Sequence, residues 1–332
     1  MNNTPHYLVI GAGVAGLSCS RLLHDAGFGV TVMDKSRGPG GRMSTRRGAD
    51  WACDHGAQYF TARDPAFGVE VERWQREGVA ALWQPRLKVF EGAAGHATDR
   101  QLERFVGLPR MTAPARLLAE GLSLQTALTA VALHRESAAW QVETAETGRI
   151  DALFDGVILA VPAVQALPLL APVSPVLAAE ARAGHMAACW AMMLRFDTVL
   201  DLSFDAAFVN RGPLRWVARD SSKPGRDGQE CWSLHASAEW SEAHLEEDAE
   251  IVAPILIEAF KALGGALPQA WSAHRWRYAI TDSAVDGGCV WHAADGLGLC
   301  GDWLNGGRVE GAWLSGRAVA EQVRSSFIAE AR

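Results

Sequence analysis

The chain has 332 residues, 49% of them apolar, with a formal net charge of −7 at pH 7 and a pI near 5.8. That length allows one large domain or two ordinary ones with ample core, and the acidic balance argues against a nucleic-acid binder or a polybasic membrane surface. The scattered cysteines (Cys19, Cys53, Cys189, Cys231, Cys289, Cys300) include no C-x-x-C pair, which fits free thiols in a reducing cytoplasm and no metal framework.

The chain opens on an apolar strand, Tyr7 to Ile10, too short for the core of a signal peptide. Gly11-Ala12-Gly13-Val14-Ala15-Gly16 follows, then an amphipathic helix over Leu17–Ala26 and a second strand, Val30–Met33, ending in Asp34. In this context each glycine has its own task. Gly11 makes a tight turn, Gly13 lets a pyrophosphate approach, Gly16 packs helix on strand, and the acid takes a ribose hydroxyl. Val14 and Ala15, between the second and third glycines, are cofactor-binding candidates with them. Lys35 then leads into Gly38-Pro39-Gly40-Gly41-Arg42-Met43, a second Gly-rich loop that a simple NAD site does not need. An acid, a short spacer and Gly-Gly-Arg resemble the pattern of one flavoprotein superfamily, and that resemblance implies that the planar fork of Arg42 grips the pyrophosphate of FAD; the alternative is a solvated loop arginine.

Asp54-His55-Gly56-Ala57-Gln58-Tyr59-Phe60-Thr61 comes next, followed by a helix over Phe67–Gly78 and short strands at Leu82-Trp83, Leu87–Phe90 and Leu102–Val106. A helix over Thr112–Glu120 precedes three strands, Leu122–His134, Ala139–Glu143 and Leu153–Ala160. Val157–Ala179 is the most apolar stretch, but its four prolines make it a strand and a broken segment, not a membrane span. Tryptophan-rich strands follow at Ala187–Phe196, Leu214–Ala218, Cys231–Ala236 and Trp271–Ala279, whose alternation predicts a sheet with one packed face and one that roofs a site. In the last strand His274, Trp276 and Tyr278 share one face, Arg275 and Arg277 the other. Ser221–Glu230 reads as a solvated polar loop. Finally an apolar strand, Leu297–Leu299, runs into Gly301-Asp302-Trp303-Leu304-Asn305-Gly306-Gly307-Arg308-Val309-Glu310-Gly311-Ala312. A helix starting near Val309 or Glu310 would aim its positive end at a ligand.

Gly41-Arg42-Met43, Asp54 to Thr61, and Gly301-Asp302 with Arg308 to Ala312 together resemble the renalase family, particularly its bacterial branch, and the likeness extends over nearly the whole chain. The resemblance implies non-covalent FAD and a substrate that is a misreduced dinucleotide, an isomer of NAD(P)H with hydride at nicotinamide C2 or C6. Oxidation would return NAD(P)+, and O2 would re-oxidise the flavin to give H2O2. It places Ala57, Gln58 and Tyr59 at the isoalloxazine, with the Gln58 amide near N5 and Tyr59 walling the substrate cavity. Leu128 would touch the adenine through its backbone, and Ala160 would end a strand near the ribose. Gly301, Asp302, Val309 and Glu310 would hold the flavin end. His235, His274, Trp276, Arg277, Tyr278 and Trp303 would meet the substrate, aromatics against the nicotinamide and arginine against the diphosphate. Core positions are the plainer reading for Tyr59, His235 and the tryptophans. A dihydropyridine is itself a hydride donor, so no general base is required.

The predicted architecture is α/β: a Rossmann-like FAD-binding domain with a mainly parallel sheet (residues 1–80, 107–165 and 295–332), and a β-rich substrate domain inserted twice (81–106 and 166–294). The active site would lie between them. An FAD-dependent amine oxidase is the first rival. It calls for a lysine near flavin N5, and setting aside Lys35, Lys223 and Lys261 leaves Lys88. No cysteine stands between Gly301 and Trp313 for a covalent flavin link. A non-catalytic flavin-binding redox module is the second rival, and a simple NAD(P)-linked dehydrogenase leaves Gly40-Gly41-Arg42 unexplained. The preferred isomer, the NAD or NADP form, and the face of the 271–279 strand that meets the flavin stay open.

Overall fold

The computed structural model describes residues 4–92, 95–97, 102–226, 228–283 and 287–330. The N-terminal unit is β1 (His6–Ile10), α1 (Val14–Asp25) and β2 (Gly29–Asp34), followed by a hairpin of β3 (Thr45–Arg47) and β4 (Ala52–Asp54) and by α2 (Pro65–Arg76). Then come β5 (Ala80–Trp83), β6 (Leu87–Phe90), β7 (Gly95–Ala97), β8 (Arg104–Gly107), α3 (Ala113–Ala119) and β9 (Ser123–Thr126). A three-stranded meander, β10 (Ala130–Glu136), β11 (Ala139–Thr144) and β12 (Gly148–Arg149), leads to β13 (Gly156–Leu159), α4 (Ala163–Leu170) and α5 (Pro175–Ala183). The longest excursion holds β14 (His185–Phe196), β15 (Ala206–Val209), β16 (Leu214–Arg219), β17 (Glu230–Ala236), α6 (Ala238–Ala243), α7 (Ala249–Ala262) and β18 (Ala270–Ser283). The chain closes with β19 (Val290–His292), β20 (Leu297–Leu299) and α8 (Val309–Glu330).

Two large sheets result. The first runs β19-β20-β13-β1-β2-β9, parallel except for β19. Its central strands are buried on both faces (β1 is Tyr7, Leu8, Val9, Ile10), as a parallel sheet covered on both sides requires. One face carries α1 and α8, tied by the Ser18 hydroxyl donating to the Trp313 carbonyl at 2.8 Å. The other carries α4, α5 and the meander. The second sheet runs β18-β14-β17-β16-β15-β6-β7, antiparallel except where β15 pairs with β6. Alternate residues of β14, Trp190, Met192, Leu194 and Phe196, bury against Val252, Leu256 and Phe260 of α7; the opposite face is free to look at the first sheet. This is the expected α/β class.

Three expectations shift. Leu122–His134 is two strands, not one: β9 extends the parallel sheet, and the chain breaks at Ala127 (φ +58°) before β10 starts the meander. The break is held by Ala127 N–H donating to Ser36 O (2.9 Å) and Leu128 N–H to Asp34 O (3.1 Å). The boundary drawn at 165 falls too early, because Ala163, Ala166, Leu170, Leu177 and Ala181 bury with the first sheet and the chain crosses over only at β14. The boundary at 294 falls too late, since β19 already pairs with β20.

Candidate active site

Between the sheets lies a continuous cavity of about 1490 Å³. That exceeds the roughly 300–1,000 Å³ of a single small-molecule pocket. At one end the fingerprint glycines do what their spacing predicts. Gly11 has φ +112°, and a Cβ there would stand 2.4 Å from the Ala160 carbonyl; a Cβ on Gly16 would stand 1.9 Å from that of Gly11. Only glycine lets β1, β13 and α1 approach so closely. α1 begins without a capping side chain and with no acid in its first turn, so its N–H groups and positive dipole end are left for an external anion. Gly13, Val14 and Ala15 line the cavity there, with Gly41 opposite.

Asp34 closes the same end. Its carboxylate accepts Ala12 N–H (2.6 Å) and Ser36 N–H (2.7 Å), which fixes both loops and leaves lone pairs for a ribose hydroxyl. Lys35, Leu128 and Ala160 line the wall beside it. The Leu128 N–H is committed to Asp34 O, so its carbonyl is the backbone group available to an adenine.

At the middle of the cavity Arg42 meets Asp302. Nη1 donates to Oδ2 at 2.9 Å and to the Ala279 carbonyl at 3.2 Å, and Nη2 contacts Oδ1. Thr281 Oγ1 donates to the same carboxylate at 3.2 Å. Gly301 and Val309 line this end with the start of α8. Glu310 does not: its carboxylate turns away and accepts Arg63 N–H (2.6 Å) and Asp64 N–H (2.7 Å) at the start of α2. Those two N–H groups have no helical partner and draw the carboxylate to them, so the Glu310 side chain caps α2, and what the α8 start can offer a flavin is its backbone N–H groups and dipole end.

The reactive end is aromatic. Tyr59 lies 5.4 Å from Trp216 and 6.5 Å from Trp83, ring centre to ring centre, with the Arg104 guanidinium 5.3 Å over its face. Across from it, His55 stacks on Trp276 at 5.2 Å and meets His274 edge-on at 4.9 Å, and the Trp276 indole donates to the His55 carbonyl at 2.9 Å. The aromatic face of β18 therefore faces the 55–59 loop, and Tyr278 lines the same wall. Arg277 also stands on the cavity wall, where its guanidinium pairs with Glu246 at 2.6 and 2.8 Å. Trp303 lines the cavity floor and is otherwise buried, its indole donating to the Val161 carbonyl at 3.2 Å.

Gln58 and His235 join this end to a feature the sequence reading missed. The Gln58 amide donates to the carbonyls of Asp54 (2.6 Å) and Gly56 (3.2 Å), with His235 Nε2 at 3.5 Å. Its N–H groups are thus held by its own loop, while its Oε1 accepts from Lys223 Nζ at 3.4 Å. Ala57 lines the cavity beside it. Lys223 is completely buried with Asp220 (2.7 Å) and Asp54 (3.2 Å), and Arg226 reaches Asp54 at 2.6 Å. Within the expected solvated loop Ser221–Glu230, Lys223 and Arg226 therefore fold inward because buried carboxylates await them. Burial alone would push the Asp54 carboxyl up, yet Lys223 and Arg226 hold it down at about 2. Burial and the Asp54 charge push Asp220 up to about 6. Burial, then the Lys223 charge, holds His235 down at about 4, and burial holds His55 at about 3. Both histidines are neutral at pH 7.

A family model for NAD(P)-binding Rossmann-like domains matches residues 9–69, and the model for flavin containing amine oxidoreductases matches residues 76–324. The chain belongs to the flavin-containing amine oxidoreductase family. Among solved structures it is similar to a protoporphyrinogen oxidase of Exiguobacterium (TM-score 0.78, 12% identity, 97% of this chain and 99% of that one) and to a cyclohexylamine oxidase of Brevibacterium oxydans (0.74, 10%, 98% and 100%). Such low identity speaks for the fold alone. An L-amino-acid oxidase of Siganus canaliculatus is 42% identical over 59 residues, 17% of this chain and 11% of that protein. A hydroxyneurosporene desaturase of Rubrivivax gelatinosus is 34% identical over 128 residues, 32% of this chain and 24% of that protein. The chain thus spans about a tenth to a quarter of these curated relatives.

Membership gives the protein FAD as its cofactor. The residues fit it: the uncapped start of α1 and Arg42 suit the pyrophosphate, Asp34 the ribose, and the start of α8 the flavin end. Lys88, the lysine left for the amine-oxidase reading, is half-buried, donates to Ser203 at 2.8 Å and is not among the residues lining the cavity. No helix among the described residues is long and apolar enough to cross a membrane.

Proposed function

We propose that this flavoenzyme is renalase-like and oxidises dihydro-NAD(P) isomers carrying hydride at nicotinamide C2 or C6, with O2 as the final acceptor. The charge of the cavity carries the reading. Lys35, Arg37, Arg42, Arg47, Arg116, Arg215 and Arg308 stand on its wall, against Asp34 and Asp302 as the only carboxylates among the described lining residues. The chain as a whole is at −7, so this is a local concentration of positive charge. FAD brings one diphosphate, and the surplus matches a second phosphorylated molecule. A cationic amine would enter against the field.

When bound, the flavin supplies the hydride-accepting ring and the route to O2. The protein's own part is placement. Tyr59, Trp216, His55 and Trp276 offer flat apolar walls that exclude water and can hold a nicotinamide ring at the roughly 3–3.5 Å near-attack distance. Neutral His55 and His235 add no charge against the developing pyridinium. Gln58, gripped by Lys223 and its own loop, keeps that loop in register beneath the ring.

An FAD-dependent amine oxidase is the second reading, favoured by the family itself and by Lys223 lying 3.4 Å from Gln58. Anaerobic stopped-flow bleaching of the flavin separates the two. Dihydro-NAD isomers should bleach it rapidly while NADH and a panel of amines leave it yellow; bleaching by amines alone would remove the dinucleotide reading.

A further inference from the structure

Arg215 is a cation without a partner. It projects from β16 between buried Leu214 and Trp216, exposed, on the wall of the cavity. No hydrogen bond or ion pair joins its guanidinium to another described residue. The neighbouring arginines of the same sheet differ: Arg275 contacts the Leu245 carbonyl and lies over Trp190, Arg277 pairs with Glu246, and Arg219 with Glu230 at 3.0 Å. Its neighbour Trp216 pairs with His235 across β16 and β17, and Arg215, Trp216, His235 and Cys189 line the same cavity. Among the described lining residues the two carboxylates, Asp34 and Asp302, belong to the cofactor motifs and neither pairs with Arg215.

Beside it stands an aromatic corner. Trp216 meets Phe208 at 4.8 Å and Tyr59 at 5.4 Å. A fork of N–H donors next to flat apolar faces recognises a phosphate that is covalently attached to a ring system. We propose that Arg215, with the Trp216–Phe208–Tyr59 corner, forms a subsite for the phosphate of the substrate, distinct from the α1 and Arg42 cradle of the cofactor. The assignment of that phosphate to a nicotinamide nucleotide rests on the proposed function; the anion subsite itself does not.

The test uses the FAD-loaded enzyme, with inorganic pyrophosphate, nicotinamide mononucleotide and nicotinamide riboside as probes, read by tryptophan fluorescence and the flavin absorbance envelope. Arg215→Met should weaken pyrophosphate and mononucleotide by roughly tenfold or more, the scale of a charge-assisted pair, and leave the riboside within about twofold. Arg215→Lys should recover part of the loss, and Lys88→Met, which removes a charge that does not line the cavity, should change nothing. The subsite is overturned if wild type does not bind pyrophosphate, if Arg215→Met leaves that affinity unchanged, or if riboside affinity falls in step with mononucleotide. Arg215-dependent pyrophosphate binding without binding of either nicotinamide compound supports the anion subsite and sinks the dinucleotide reading instead.

Discussion

Arg42 and Asp302 stand 260 residues apart in the chain and face each other as a two-pronged ion pair in the middle of the cofactor cavity. Asp302 is almost fully buried while about a third of Arg42 is exposed, so each needs the other unequally. Removing the cation strands a buried carboxylate; removing the carboxylate leaves an arginine that water can still reach.

Arg42→Ala should therefore cost more folding stability than Asp302→Asn, on the order of 1–3 kcal/mol for the stranded carboxylate. Both variants should purify with less FAD. The ratio of flavin to protein absorbance and a thermal melt with and without added FAD read the two effects. An Arg42→Ala protein that is fully yellow and melts like wild type would contradict the pairing.

Lys223 separates Asp54 from Asp220 in a buried cluster. Lys223→Met should destabilise by ~3–5 kcal/mol, the scale for breaking a buried pair. Adding Asp220→Asn should restore part of it, because the repulsion between the two acids is then gone. Denaturant midpoints for the single and double variants measure the coupling, and strict additivity would show that the three groups do not act together.

His235 gives a pH signature. Its folded value near 4 lies below the ordinary 6.5, so the folded state binds fewer protons than the unfolded one as pH falls through that range. Its contribution is complete above about 6.5 and is lost progressively toward 4. The melting temperature of wild type should fall across this window more steeply than that of His235→Asn. Over the neutral range His235 should impose no inflection on flavin reduction.

On the proposed reading, in which the Tyr59 ring walls the substrate space, Tyr59→Ala should leave FAD bound yet slow flavin reduction by about tenfold or more. Anaerobic reduction kinetics at saturating substrate check this. Unchanged rates would make Tyr59 a packing residue for Trp83 and Trp216.

Gly316 lies where α8 crosses α1, and a Cβ there would sit 2.0 Å from the Ala15 carbonyl. Gly316→Ala should push the helices apart at a cost of about 1–3 kcal/mol. The displacement would reach the start of α1, so FAD affinity should fall with the melting temperature.

The fold was legible because two periodicities dominate: alternating residues of β14 to β18 declare a half-covered sheet, and the strand–glycine–helix run from Tyr7 to Asp34 declares a dinucleotide cradle. The placing of Arg42, Asp302 and Tyr59 around one cavity followed from motifs whose chemistry needs glycine at fixed positions. Polar segments hid the rest. Ser221–Glu230 has the composition of a surface loop, and nothing local reveals that Asp54, nearly 170 positions earlier, pulls Lys223 and Arg226 inside. Glu310 likewise looks like an acid at a ligand-facing helix start. Its true partners, the N–H groups of Arg63 and Asp64, belong to a helix start distant in sequence.

The strand order β19-β20-β13-β1-β2-β9 places a late strand two positions from the first. On the ribosome, the glycine loop after β1 emerges about 290 residues before Asp302 and the α8 start. A flavin can therefore be clasped from both ends only after α8 has emerged, and nascent chains stopped before residue 297 should release the cofactor freely.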